Sequence, residues 1–204
     1  MTRDRDTRTE LIQTMARLLR DQGYTATGRA QLLAESDVSN GSLYHHFPGG
    51  MEELAEAALE ASGQVVAEAL RGALNEAPST AVGLVRFLDI AQGSVAGDAC
   101  AGCPVSPTAL ESPIISPRLR EAAARCFEQW EDIIAARLRA DGWSKDSART
   151  TASAALALIE GALLLARVSG QQSPLANAKR VIHTMVAAPP KKPTKRVPSR
   201  IRQR

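Results

Sequence analysis

Helix-start signals punctuate this chain from end to end and leave little room for any other secondary structure. Four Ser-Pro pairs, Ser106-Pro107, Ser112-Pro113, Ser116-Pro117 and Ser173-Pro174, read as an N-cap followed by proline at the first helical position. Serine accepts a hydrogen bond from a free helical N–H, and proline sits where an N–H would go unpaired anyway. Thr7-Arg8-Thr9-Glu10 reads as a capping box. Behind it Leu11, Met15, Leu18 and Leu19 form one apolar face that stops at Gly23. Ser79 and Ser144 read as further caps. Together these signals predict helices over 7–22, 28–36, 40–46, 50–74, 79–96, 106–112, 117–140, 144–169 and 174–187. Aromatic residues are only 3% of the chain, and Ala and Leu dominate its apolar fraction, which favours helix over strand. No alternating apolar–polar run with hairpin turns appears. The fold class expected is all-α.

The net charge of +3 is made at one end. From Pro189 to Arg204 the chain carries seven cations, four prolines and no acid. Taking those seven from the 25 lysines and arginines leaves 18 against 22 acids, so residues 1–188 have a net charge of −4. The tail 189–204 has almost nothing to bury and is expected to be disordered. Two readings of it stand: a solubilising end, or, should the folded part meet nucleic acid, tethered cations that strengthen that binding without sequence preference. The opening residues carry no apolar secretory segment, and no apolar run approaches the roughly 18 residues of a membrane span. Three cysteines do not make a disulfide scaffold, so the expected compartment is cytoplasmic. No GxGxxG, GxxxxGK, GxSxG or HExxH string is present, so nothing offers a cofactor cradle or activated nucleophile. The chain reads as a non-enzyme without cofactor.

Residues 28–47 carry the functional signal. Leu32, Leu33 and Ala34 fit a short helix, Glu35-Ser36-Asp37-Val38 a turn, and Ser39 can cap a second short helix. Leu43 and Phe47, four apart, face inward on that second helix, while Asn40 and Tyr44 share another face with His45 beside it. Two short helices with a tight turn, the second presenting small polar side chains, form the layout of a DNA-reading helix-turn-helix. Adjacent His45 and His46 point about 100° apart on a helix and lack a carboxylate at ligand spacing, so no metal site is expected.

The string Thr27-Gly28, Leu33-Ala34-Glu35-Ser36 and Val38-Ser39-Asn40-Gly41-Ser42-Leu43-Tyr44-His45-His46-Phe47 resembles the signature of the TetR/AcrR family of transcriptional regulators. Pro48-Gly49-Gly50-Met51-Glu52-Glu53-Leu54 and Gly102-Cys103-Pro104-Val105 are similar to the branch that includes lincomycin-resistance repressors. The resemblance implies a homodimer with a DNA-binding domain over 1–50 and a ligand-binding and dimerisation domain over 51–188. It implies DNA contacts from Arg8, Thr27, Gly28, Arg29, Ser39, Asn40, Gly41, Ser42, Tyr44, His45 and Gly50. It also implies a palindromic operator in double-stranded DNA, with release by a small-molecule inducer. Two positions depart from the family pattern. Asp37 stands where a left-handed glycine is usual, at an expected cost of about 1 kcal/mol. Met51 replaces a basic phosphate contact, leaving the amides of Gly50 and Met51 for that task.

The stretch 154–168 has only Glu160 and Arg167 as charges. A helix apolar nearly all round must be covered on every side, so Ala152, Ala155, Ala162 and Ala166 read as a close-approach face for a twin subunit. Glu160 needs a partner there, either an arginine from a neighbouring helix or subunit or a ligand in a cavity. Phe87, Phe127 and Trp130, with Cys103 and Glu160, are the candidate ligand-binding residues. Cys100, Cys103 and Cys126 leave open a redox-responsive regulator as the alternative.

Overall fold

A computed structural model describes residues 2–96 and 102–189. The expectations placed on Cys100 and on nearly all of the basic tail lie outside these residues. Among them the chain forms α1 (Thr2–Gln22), α2 (Arg29–Ser36), α3 (Asn40–His46), α4 (Gly50–Asn75), α5 (Thr80–Ala96), α6 (Ser106–Ile115), α7 (Pro117–Ala140), α8 (Lys145–Ser169) and α9 (Ser173–Met185), with no strand. The all-α expectation holds.

Helix boundaries follow the local chemistry, with instructive exceptions. Ser116 caps α7 by accepting from Leu119 N at 3.1 Å, with Pro117 behind it. Ser144 caps α8 through Ser147 N at 3.2 Å. The other Ser-Pro pairs behave differently. Pro113 lies inside α6, which runs on to Ile115, and Ser112 donates to Ala109 O at 3.0 Å instead of capping. Val105 and Gln172 hold the N-cap positions of α6 and α9, one residue before Ser106 and Ser173. The box at Thr7 is not a helix start either, because α1 begins at Thr2. The four-residue spacing of such boxes also occurs inside helices, and Glu10 there accepts from Thr14 at 3.5 Å.

The helices pack around α4. It lies against α1 on one side and against α7 and α5 further along, while α8 packs on α7 and α9, and α9 on α5. Leu54, Leu59, Leu70 and Leu74 of α4 join Trp130, Ile134 and Leu138 of α7 in one core that extends to Leu11, Met15 and Leu18 of α1. The α4–α7 contact is close because Gly63 has no side chain: a Cβ there would lie 2.4 Å from Cys126 Sγ. Asp141, after α7, accepts from Thr80 N at 2.7 Å and Thr80 Oγ1 at 2.8 Å, capping α5 from 61 residues away. Arg137 holds the end of α4 by donating to Leu74 O and, at 3.0 Å, to Ala77 O.

By length and hydropathy α8 is a candidate membrane span, where the sequence reading found no long enough apolar run. Its buried residues, among them Leu156, Ile159 and Leu163, pack inward, as a core helix requires.

The α2–α3 turn forms around Asp37, which takes the left-handed conformation with φ 51° and ψ 33°. Aspartate tolerates this geometry, and a β-branched residue does not. Asp37→Val is expected to cost about 1–2 kcal/mol, read as a lower urea midpoint with unchanged slope. An unchanged midpoint would show that the turn adapts.

Candidate nucleic-acid interface and interior cavities

Ser39 N-caps α3, accepting from Ser42 N at 3.1 Å, while its hydroxyl lies 3.0 Å from that of Ser42. Leu43 and Phe47 are buried to 0% and 1% exposure, which fixes the rotation of the helix. Asn40, Gly41, Tyr44 and His45 are consequently exposed on the opposite side, with Ser42 half-buried. The His45 and His46 rings meet edge-on at 5.0 Å. Arg29, at the start of α2, donates to the Tyr44 hydroxyl at 3.1 Å and joins the two helices through exposed groups. Gly28 precedes α2 with no side-chain cap and no atom within 4 Å of its Cβ position. The helix N-terminus is open, the geometry that favours a phosphate. Arg8 is exposed, and its guanidinium lies 5.1 Å above the Phe47 ring.

Two expected contacts are taken up inside the protein. Thr27 is buried, with its hydroxyl donating to Gly23 O at 2.6 Å and its amide to Tyr24 O at 3.0 Å. It ties the loop before α2 and has no donor left for phosphate. Gly50 is buried with φ +69°, its N–H donating to Phe47 O at 2.8 Å, and a Cβ there would lie 3.3 Å from Tyr44 Cε1. Its role is to let Tyr44 sit close. At the start of α4, Glu53 accepts from Gly49 N at 2.7 Å, so a carboxylate already occupies the anion position there.

Behind this surface lie two cavities. The larger, about 480 Å³, is walled by α1, α4, α5 and α8, with Ala16, Val66, Phe87 and Leu163 among its lining. The other, about 450 Å³, runs from the end of α1 past α6 to Arg167 and Val168. Both are lined by Gly102, Cys103, Glu160 and Leu163. Phe87, Cys103 and Glu160 thus line cavities. Trp130 and Phe127 line neither. Trp130 is 1% exposed in the α4–α7 core, with Nε1 donating to Gly63 O at 3.0 Å, and Phe127 packs edge-on against it at 5.2 Å.

Glu160 has no ion-pair partner among the described residues. Its Oε2 accepts from Ser106 Oγ at 2.6 Å, and burial pushes its carboxyl above the ordinary range. Of the two partners expected, an arginine or a cavity ligand, no arginine among this chain's described residues fills the place, and the hydroxyl of Ser106 faces this acid. Burial also raises the Cys103 thiol, aided by the nearby Glu160. Cys126, buried beside Leu59 O at 3.6 Å, is pushed up to about 11, mainly by burial. Thiols held protonated are poor nucleophiles, so these two cysteines do not support a redox sensor.

Two contacts missed by sequence reasoning join the cavity region to the helix-turn-helix end. Glu111 of α6 accepts from Thr25 N at 2.9 Å and Thr25 Oγ1 at 3.0 Å, just before α2. Arg167 of α8 donates to Arg20 O at 3.3 Å and Asp21 O at 3.0 Å, at the end of α1. Both span more than 80 residues of chain, and no local pattern signals them.

Comparison with known proteins matches residues 11–58 to the bacterial regulatory proteins of the tetR family and residues 78–181 to the LmrA/YxaF-like C-terminal domain of transcriptional regulators. The chain belongs to the TetR family. Among its relatives, the HTH-type transcriptional regulator LmrA of Bacillus subtilis is 32% identical over 87% of this chain and 95% of its own length. YxaF of the same organism is 31% identical over 86% and 92%. The fold is shared with solved structures, including reduced NemR of E. coli (TM-score 0.80, 23% identity, 88% and 96% covered). A second is the TetR regulator of Legionella pneumophila (TM-score 0.77, 21% identity, 86% and 94% covered). This TetR-family chain is therefore a DNA-binding transcriptional regulator of the helix-turn-helix type; dimers and small-molecule ligands are typical of the family.

Proposed function

We propose that this regulator is a repressor that holds a palindromic operator as a dimer and releases it when a small molecule enters the cavities between α1, α4 and α8. The observation that carries this reading is that Gln13, Ala16, Arg17 and Arg20 of α1 line the same cavity as Phe87 and Glu160. A ligand there touches the helix on which α2 and α3 are mounted. It acts only through its different affinity for the bound and free states. In a dimer the two α3 helices must enter successive major grooves about 34–36 Å apart, and a shift of α1 alters that spacing. Residues 1–50 serve as the DNA-binding part, 51–188 as the ligand-binding and dimerisation part, and the protein works in the cytoplasm with its DNA.

DNA contacts are assigned to Arg29, Asn40, Gly41, Ser42, Tyr44 and His45, with Arg8 and the amides at Gly28 on phosphates and Ser39 as the cap of the reading helix. The dimer face is assigned to the outward side of α8 and α9. Leu164, Leu165, Val168 and Val181 are 51–78% exposed there, and Gly161 has open space at its Cβ position.

The test uses an operator selected by the wild-type protein from a random duplex library. Tyr44→Ala is expected to weaken binding to it about ten- to a hundredfold, as loss of one groove contact does, while solution mass stays that of the wild type. Unchanged affinity in a gel shift would remove α3 from the interface.

A further inference from the structure

Resting on that ligand-responsive reading, we infer that the cavities select a monovalent organic cation, apolar elsewhere, with Glu160 as its counter-charge. The argument is one of charge inventory. Glu160 lines both cavities. Its neighbours in contact are neutral donors, the Ser106 hydroxyl at 2.6 Å on Oε2 and the Cys103 thiol. The arginines in the cavity walls are committed elsewhere. Arg17 pairs with Glu35, Arg20 with Asp21 at 2.9 Å, and Arg167 donates to the Arg20 and Asp21 carbonyls.

A carboxylate taken out of water without a cation is costly, and burial already pushes its proton affinity up. A bound cation supplies the missing partner, and Coulomb attraction there is weakly screened. The rest of the wall suits a greasy body: Val65, Val66, Ala69, Phe87 and Leu163 line the larger cavity, and the Phe87 ring adds an aromatic surface of the kind that attracts cations. An anion of the same size gains the same apolar contact but meets Glu160 with like charge.

The experiment compares tetraphenylphosphonium, tetraphenylborate and neutral N-phenyl-1-naphthylamine by calorimetric titration of the full-length protein. The phosphonium ion is expected to bind at least tenfold tighter than the borate. Glu160→Gln keeps the side-chain size and an oxygen that can accept from Ser106. It is expected to lose about ten- to a hundredfold of phosphonium affinity while binding the naphthylamine as the wild type does. Thermal melting and circular dichroism establish that the variant is folded. If Gln lowers affinity for all three probes alike, the role of Glu160 is structural and the inference fails. Neutral binding with no phosphonium preference overturns the inference and leaves the ligand-responsive reading standing. If none of the probes binds, both fall.

Discussion

Arginine at Ala155 should leave no folded protein, whereas arginine at Ala157, two residues on, should leave a folded monomer. Ala155 is 0% exposed, with its side chain against the protein's own core. A guanidinium there has no acid to meet and costs several kcal/mol, a large fraction of the roughly 5–15 kcal/mol that holds a domain folded. Ala157 is exposed on the outer face of α8. A charge there reaches water in the monomer and is buried unpaired only when a second copy packs on that face. Circular dichroism and light scattering separate the outcomes: Ala155→Arg without helical signal or insoluble, Ala157→Arg helical with half the wild-type mass. A folded Ala155→Arg dimer would contradict the burial of α8. An Ala157→Arg dimer of wild-type mass would move the interface off this face.

The same pair shows where the sequence was silent. Ala152, Ala155, Ala162 and Ala166 read as the close-approach face for a twin, but all four are buried in the protein's own core. The outward side is Ala154, Ala157, Gly161, Leu164, Leu165 and Val168, half-buried at Gly161 and exposed elsewhere. A helix that is apolar nearly all round has no polar stripe to mark its outside, so periodicity predicts the helix without its rotation. Where a polar stripe exists the phase is legible. In α3, Leu43 and Phe47 against Asn40 and Tyr44 determined the orientation, and the Ser39 cap and left-handed Asp37 were readable because each depends only on near neighbours. The contacts that join the two ends of the molecule were not readable. Glu111 to Thr25 and Arg167 to Asp21 depend on how α6 and α8 pack against α1, which no local pattern encodes.

Trp130 marks the same boundary between composition and position. A scarce aromatic in an Ala- and Leu-rich chain reads equally well as pocket wall or as core, and its place on α7 decides for core. Trp130→Ala is expected to lower stability by about 3–5 kcal/mol, the range for deleting a buried large aromatic. In a chain of this length that is a fall of roughly 10 °C in Tm. The truncation also removes the Nε1 donor from Gly63 O, and the void opens where α7 lies against α4, next to Gly63 and Cys126. Trp130→Phe keeps most of the apolar volume and should lose a smaller part. Neither change reaches the cavities, so Trp130→Phe should bind N-phenyl-1-naphthylamine as the wild type does. Phe87→Ala, whose ring lines the larger cavity, should alter that binding while costing less stability than Trp130→Ala, because the cavity already leaves part of the ring without partners. A Trp130→Phe protein of wild-type Tm but altered probe affinity would return Trp130 to the pocket wall.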